Sequence, residues 1–151
     1  MSTIQHKYSG ILTALPTPLG RDLEVDLPPL AALIRRLAAA GTAGVVQLGG
    51  TGEYTSLSAS QRVDVVEASL EAAAGRLHVI PGILSPGLGA AISNAQAFVR
   101  AGAKASMVVT PYYFRPTPDG IVEYFHRFSD PVDADIILYE LPYRPGVPLH
   151  S

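Results

Sequence analysis

The residues Gln47-Leu48-Gly49-Gly50-Thr51-Gly52-Glu53 combine the small and polar groups that an anion site needs. They close the apolar run Ala43 to Val46, so a turn with three glycines opens where a strand ends. Glycine has no Cβ, which lets the main chain approach a ligand closely and take up positive φ. Successive N–H groups in such a turn form a concavity that attracts an anion, and Thr51 adds a hydroxyl. The chemistry implied is capture of a small anion, above all a carboxylate. A tight turn with no ligand is the plainer alternative, because glycine-rich turns after strands are common. Glu53 could hold this turn or act as a base, and the structural role is preferred.

Other chemistry-bearing residues cluster similarly: Thr13 to Thr17, Ser85-Pro86, Thr110-Pro111-Tyr112-Tyr113 and Tyr139-Glu140-Leu141-Pro142-Tyr143-Arg144. Tyrosines there could serve packing or an interface as readily as chemistry. Several familiar sites are excluded. No Gly-Lys-Ser/Thr follows the glycine turn, so it is no phosphate loop, and the turn after the first strand carries prolines where a dinucleotide fold needs glycines. His6, His78, His126 and His150 lack metal-ligand spacing, so no metal is expected. With no cysteine there is no disulfide or thiolate chemistry, which suits a reducing cytoplasm. The net charge of -2, with no basic patch, argues against nucleic acid. No signal-peptide pattern opens the chain, and no apolar run approaches the ~20 residues of a membrane helix.

The elements that must position these residues alternate. Strands are expected at Ile11–Leu15, Gly44–Leu48, Leu77–Leu84, Ala105–Val109 and Asp135–Tyr139. The intervening helices start near Pro28, at the capping-box sequence Ser58-Ala59-Ser60-Gln61, before Ile92, and at Thr117-Pro118. Their expected apolar stripes are Leu30, Ile34 and Leu37; Val63, Val66, Leu70 and Ala73; Ile92, Ala95, Phe98 and Val99; and Ile121, Tyr124, Phe125 and Phe128. Gly41, Gly75 and Gly102 end the first three. Strict alternation with continuously apolar strands means a parallel sheet covered by helices. At 151 residues, 48% of them hydrophobic, the chain is one domain with a real core. An open doubly wound sheet would be complete at this length, whereas a (β/α)8 barrel needs about 250 residues. Either architecture puts ligands beyond the C-terminal strand ends, where every cluster above lies.

These segments together resemble the family of dihydrodipicolinate synthase and N-acetylneuraminate lyase, the pyruvate-dependent class I aldolases. Gly49-Gly50-Thr51-Gly52-Glu53 is similar to the family's Gly-(Thr/Ser)-Thr-Gly-Glu signature. Thr110-Pro111-Tyr112-Tyr113 resembles its second segment, and Tyr139 to Arg144 its Tyr-x-x-Pro-x-Arg segment. The resemblance implies a (β/α)8 TIM barrel, of which residues 1–151 would supply strands one to five and helices one to four, with no internal domain boundary.

It also implies a lyase in which a lysine amine forms a Schiff base with pyruvate or another 2-keto acid, without a cofactor. By position, Thr51 with the amides around Gly50, Thr51 and Gly52 would bind the keto-acid carboxylate. Tyr139 would shuttle protons beside the imine. Tyr113 would be the relay tyrosine, which in many members reaches a neighbouring subunit of a dimer or tetramer. Arg144 would meet the second substrate's carboxylate or help shape the entrance. The family's lysine lies one strand beyond Tyr139, past Ser151. Lys7 and Lys104 are expected to be solvated surface charges, so the chain by itself should be catalytically silent. Gly50 replaces a hydroxyl residue usual in synthases and resembles dehydratases of sugar-derived keto acids, such as 5-dehydro-4-deoxyglucarate dehydratase, as the alternative. A noncatalytic half-barrel that binds or assembles with a partner is the alternative from another class, and an open-sheet carboxylate binder is a further one.

Overall fold

The computed structural model describes residues 7–114 and 116–140. Five strands, β1 (Leu12–Ala14), β2 (Gly44–Gln47), β3 (His78–Ile83), β4 (Ala105–Val109) and β5 (Asp135–Tyr139), alternate with four helices. The helices are α1 (Leu27–Ala39), α2 (Ala59–Ala73), α3 (Leu88–Ala101) and α4 (Pro118–Ser129). The strands form one sheet in sequence order, β1 to β5, with every neighbouring pair parallel. Sequential order means that every βαβ crossover steps in the same direction across the sheet.

Local chemistry sets the boundaries. Prolines open α1 and α4, where their missing N–H would have no helical partner. Ser58 and Gln61 form the expected capping box on α2, with both reciprocal bonds made. Thr117 caps α4 by accepting from the Gly120 amide at 3.2 Å. Gly102, at φ 110, ends α3, and the following Ala103 amide donates to Phe98 O at 2.9 Å. Pro81 sits inside β3, opposite Gln47. The β3–β4 register begins only after it, at Gly82–Met107. A residue without an N–H cannot contribute to that ladder.

Strand residues alternate between faces. The register therefore puts Val45, Val79, Ile83 and Val108 on the helix side, where they join the main core with Leu30, Ile34, Val66, Phe98 and Phe128. Ala14, Val46, Ile80, Met107 and Tyr139 share the opposite face. That face is partly open: Val46, Met107 and Tyr139 are only half-buried. At the strands' N-terminal ends it is covered by Lys7 and Tyr8. The Tyr8 ring meets His78 edge-on at 4.9 Å, and Lys7 Nζ and the Tyr8 hydroxyl each donate to Asp135 Oδ2 at 2.6 Å.

The helix-two stripe expected from spacing is corrected. The fully buried residues are Val65, Val66, Ser69, Ala72 and Ala73, while Val63 and Leu70 are half-buried. The helix packs against both α1 and α3, so its buried face is broader than one stripe and rotated from the expected centre.

Candidate functional site

The C-terminal ends of β1, β2, β4 and β5 enclose a cavity of about 230 Å³ lined by Ala14, Val46, Gly49, Gly50, Thr51, Met107 and Tyr139. Its walls from Ala14, Val46 and Met107 are apolar, and its hydroxyls come from Thr51 and Tyr139. The fold thus brings Gly50 and Thr51 of the β2 turn to the same cavity as Tyr139, 88 residues later in the chain. Gly52 lies just behind it, buried. Tyr113 is 75% exposed, pairing edge-to-face with Phe114 at 4.9 Å, and is not part of this cavity. Arg144, with Leu141, Pro142 and Tyr143, falls outside the described residues.

The glycine turn is built differently from the expectation that its glycines supply positive φ. Leu48 (φ 59) and Glu53 (φ 54), which flank it, are the left-handed residues. Gly52 is needed for close approach: a Cβ there would lie 2.6 Å from the Leu48 amide nitrogen and 3.1 Å from Leu15 O. Gly82 of β3 cradles the same residue from the other side, since its Cβ would fall 2.5 Å from Leu48 O. A left-handed leucine costs of order 1–3 kcal/mol and persists only where its surroundings over-determine it. These two glycines do so. Glu53 takes the structural part assigned to it through its backbone: its amide donates to Gly50 O at 3.3 Å, and its carbonyl accepts from the Ser56 amide at 2.9 Å.

A second layer, of which sequence reasoning singled out only Ser85, holds the segment after the turn. The Arg62 guanidinium lies 4.0 Å above the Tyr54 ring and donates to Tyr54 O, Leu57 O and Asn94 Oδ1 at 3.0, 2.7 and 3.2 Å. The Tyr54 hydroxyl and Ser85 Oγ share a 2.6 Å hydrogen bond. Burial pushes the Tyr54 hydroxyl's pKa up, opposed by the Ser85 bond and the Arg62 charge. The only sequence signal for this cluster was a polar residue, Ser85, among apolar neighbours. Tyr112, flagged with the rim cluster, donates to Leu84 O at 2.9 Å.

The two lysines lie at the other end of the sheet. Lys104 is exposed just before β4. Lys7 is exposed, as expected of a surface charge, and pairs with Asp135 at 2.6 Å. Asp135 is four residues before Tyr139, about 13 Å along the strand at ~3.3 Å per residue. Neither amine is placed to reach the cavity beside Tyr139. Among the described residues there is no group of three or more His, Cys, Asp or Glu side chains that could hold a metal. No helix among them is long and apolar enough to cross a membrane.

Comparison with known proteins agrees with this geometry. The sequence profile of the dihydrodipicolinate synthetase family matches residues 7–151. A 4-hydroxy-tetrahydrodipicolinate synthase of Streptomyces coelicolor is 35% identical over 99% of this chain and 50% of its own. The crystal structure of a dihydrodipicolinate synthase from Acinetobacter baumannii complexed with pyruvate superposes with a TM-score of 0.88, at 32% identity over 92% of this chain and 48% of that one. A prophage protein of the same family from E. coli K12, also in complex with pyruvate, gives a TM-score of 0.87 at 29% identity, over 92% of this chain and 47% of that one. The chain spans about half the length of these relatives, and its five strands and four helices are the corresponding part of a (β/α)8 barrel. On this evidence, the chain belongs to the dihydrodipicolinate synthetase family.

Proposed function

We propose that this chain is the keto-acid-binding portion of a Schiff-base lyase acting on pyruvate or a related 2-keto acid. The observation that carries the reading is the single cavity shared by Gly50, Thr51 and Tyr139 at the strands' C-terminal ends. Thr51 and the turn amides bind the carboxylate. Tyr139 stands across the cavity as the proton shuttle, a role that requires only hydrogen-bond reach to the reacting group. The imine-forming lysine is assigned to the half of the barrel that this chain does not span, since Lys7 and Lys104 lie at the wrong end. The 151-residue chain is therefore inactive alone. Arg144 meets the second substrate's carboxylate. Tyr113, exposed with Phe114 at the rim, serves as the relay residue across a contact between copies of the complete enzyme. That enzyme is a cytoplasmic homo-oligomer.

A second reading of the same site follows from Gly50. A Cβ there would meet nothing within 4 Å. The space that a hydroxyl side chain would fill is open to a larger keto acid, which favours dehydration of a sugar-derived substrate over synthase chemistry. A complete barrel made by joining this chain to the C-terminal half of the Streptomyces coelicolor relative distinguishes the two. Condensation of pyruvate with aspartate semialdehyde that rises on Gly50→Thr, with dehydration of 5-dehydro-4-deoxyglucarate lost, supports the dehydratase reading. Efficient condensation by both forms supports the synthase reading. A folded barrel that turns over neither keto acid contradicts both.

A further inference from the structure

We propose that Thr17 is a positioning residue for the carboxylate site, fixing the peptide planes of the glycine turn through one buried hydrogen bond. This rests on the reading of that turn as the place where a keto-acid carboxylate binds. Thr17 follows β1, is 6% exposed, and donates its hydroxyl to Gly52 O at 2.8 Å. That carbonyl belongs to the same peptide as the Glu53 amide. In a trans peptide the two groups point in opposite directions. Holding the carbonyl therefore aims the Glu53 N–H back across the turn, where it meets Gly50 O at 3.3 Å. The Gly50 carbonyl in turn shares its peptide with the Thr51 amide, which must face the opposite way from that bond. Two peptide planes are thus locked in series, from Thr17 to the Thr51 N–H at the cavity wall.

The packing leaves little alternative for Gly52 itself. It is wedged against Leu48 N and Leu15 O so closely that no Cβ fits. The Thr17 hydroxyl comes from a different strand end than the turn it holds, 35 residues away in sequence. The site's geometry is therefore set by the docking of β1 on β2 and not by the turn sequence alone. A preorganised donor array is what an anion site needs, because donors that must be ordered on binding give back part of the gain.

The test uses the complete barrel made by joining this chain to the relative's C-terminal half, and hydrogen–deuterium exchange read by mass spectrometry, with and without pyruvate. Thr17→Val keeps the shape and removes the hydroxyl, and Thr17→Ser keeps the hydroxyl. Loss of one buried hydrogen bond should speed exchange of the peptide covering residues 48–57 by about fivefold in Thr17→Val. It should also weaken protection by pyruvate there, while peptides of α3 and α4 are unchanged and Thr17→Ser restores both effects. Exchange in Thr17→Val as slow as in the parent overturns the proposal. So does a serine variant as fast as the valine one, or an equal acceleration in α3 and α4, which would mark general destabilisation. If pyruvate protects none of the three chains, the keto-acid reading fails, and the ligand-free comparison still decides whether Thr17 sets the turn.

Discussion

Gly50 and Gly52 stand two residues apart in one turn, yet the packing treats them oppositely. A methyl at 52 would press on the backbone of Leu48, and one at 50 would touch nothing. Gly52→Ala should lower stability by roughly 1–3 kcal/mol, as overpacking against unyielding backbone does. Gly50→Ala should stay within about 0.5 kcal/mol of the parent. Paired urea melts of the two variants check this, and equal destabilisation would remove the case for Gly52 as the wedge. Tyr139→Phe, made in a complete barrel, should cut turnover by about 10²-fold or more with the keto-acid KM little changed, because a general acid–base group is lost and the carboxylate contacts are not. A KM effect alone in steady-state kinetics would show Tyr139 to be a binding group. The glycine turn was legible in sequence because residue type and place agree. The left-handed Leu48 was not, since nothing local asks a leucine to adopt that backbone. It is held by the close approach of Gly52 and of Gly82 from β3, the latter visible only once the strands are side by side.

At the scale of elements, caps and clamps decide where segments begin. Ser58→Ala removes the acceptor for the Gln61 amide, made at 3.2 Å, and should cost about 1 kcal/mol, read as a lower urea midpoint with unchanged slope. The N-terminal segment is tied to β5 by Lys7 and Tyr8 on Asp135. The Lys7 hydrogen bond first, then that of Tyr8, holds the Asp135 carboxyl below its ordinary pKa. The folded value is the lower one. The clamp's contribution is therefore present above the unfolded value of about 3.9 and is lost as pH falls through the folded value beneath it. Asp135→Asn should flatten that part of the acid dependence of stability while leaving neutral pH behaviour otherwise similar. An unchanged acid limb in the variant would show that the clamp carries no linkage. The alternating strands and helices were readable from apolar runs, prolines and caps. The face of α2 was not, because a helix gripped by neighbours on both sides buries Ser69, whose hydroxyl turns back to Val65 O at 2.6 Å. A polar residue there breaks the stripe that periodicity looks for.

For the molecule as a whole, β1 and β5 are the edges of the sheet, and an aliphatic side chain is exposed at each: Ile11, just before β1, at 74% and Leu138 of β5 at 52%. In a closed barrel neither strand would be an edge. Unpaired edges of this kind template further pairing. The isolated chain should therefore associate in a concentration-dependent way that sedimentation would detect, and a strictly monomeric chain across that range would show the edges to be protected. The architecture was legible as alternation but not as a choice between barrel and open sheet. Either architecture accounts for five strands over this length, and in the sequence only the motifs at the strand ends separated them. The clearest chemical division lies along the strand axis, with the glycine turn and Tyr139 at one end and both lysines at the other. Trapping with pyruvate and borohydride, read by intact mass, tests that division most directly. No adduct is expected on the 151-residue chain, whose mass stays at 15.9 kDa, and one reduced pyruvate adduct on the barrel completed with the relative's C-terminal half. An adduct on Lys7 or Lys104 of the short chain, or a folded complete barrel that traps none, would contradict that expectation.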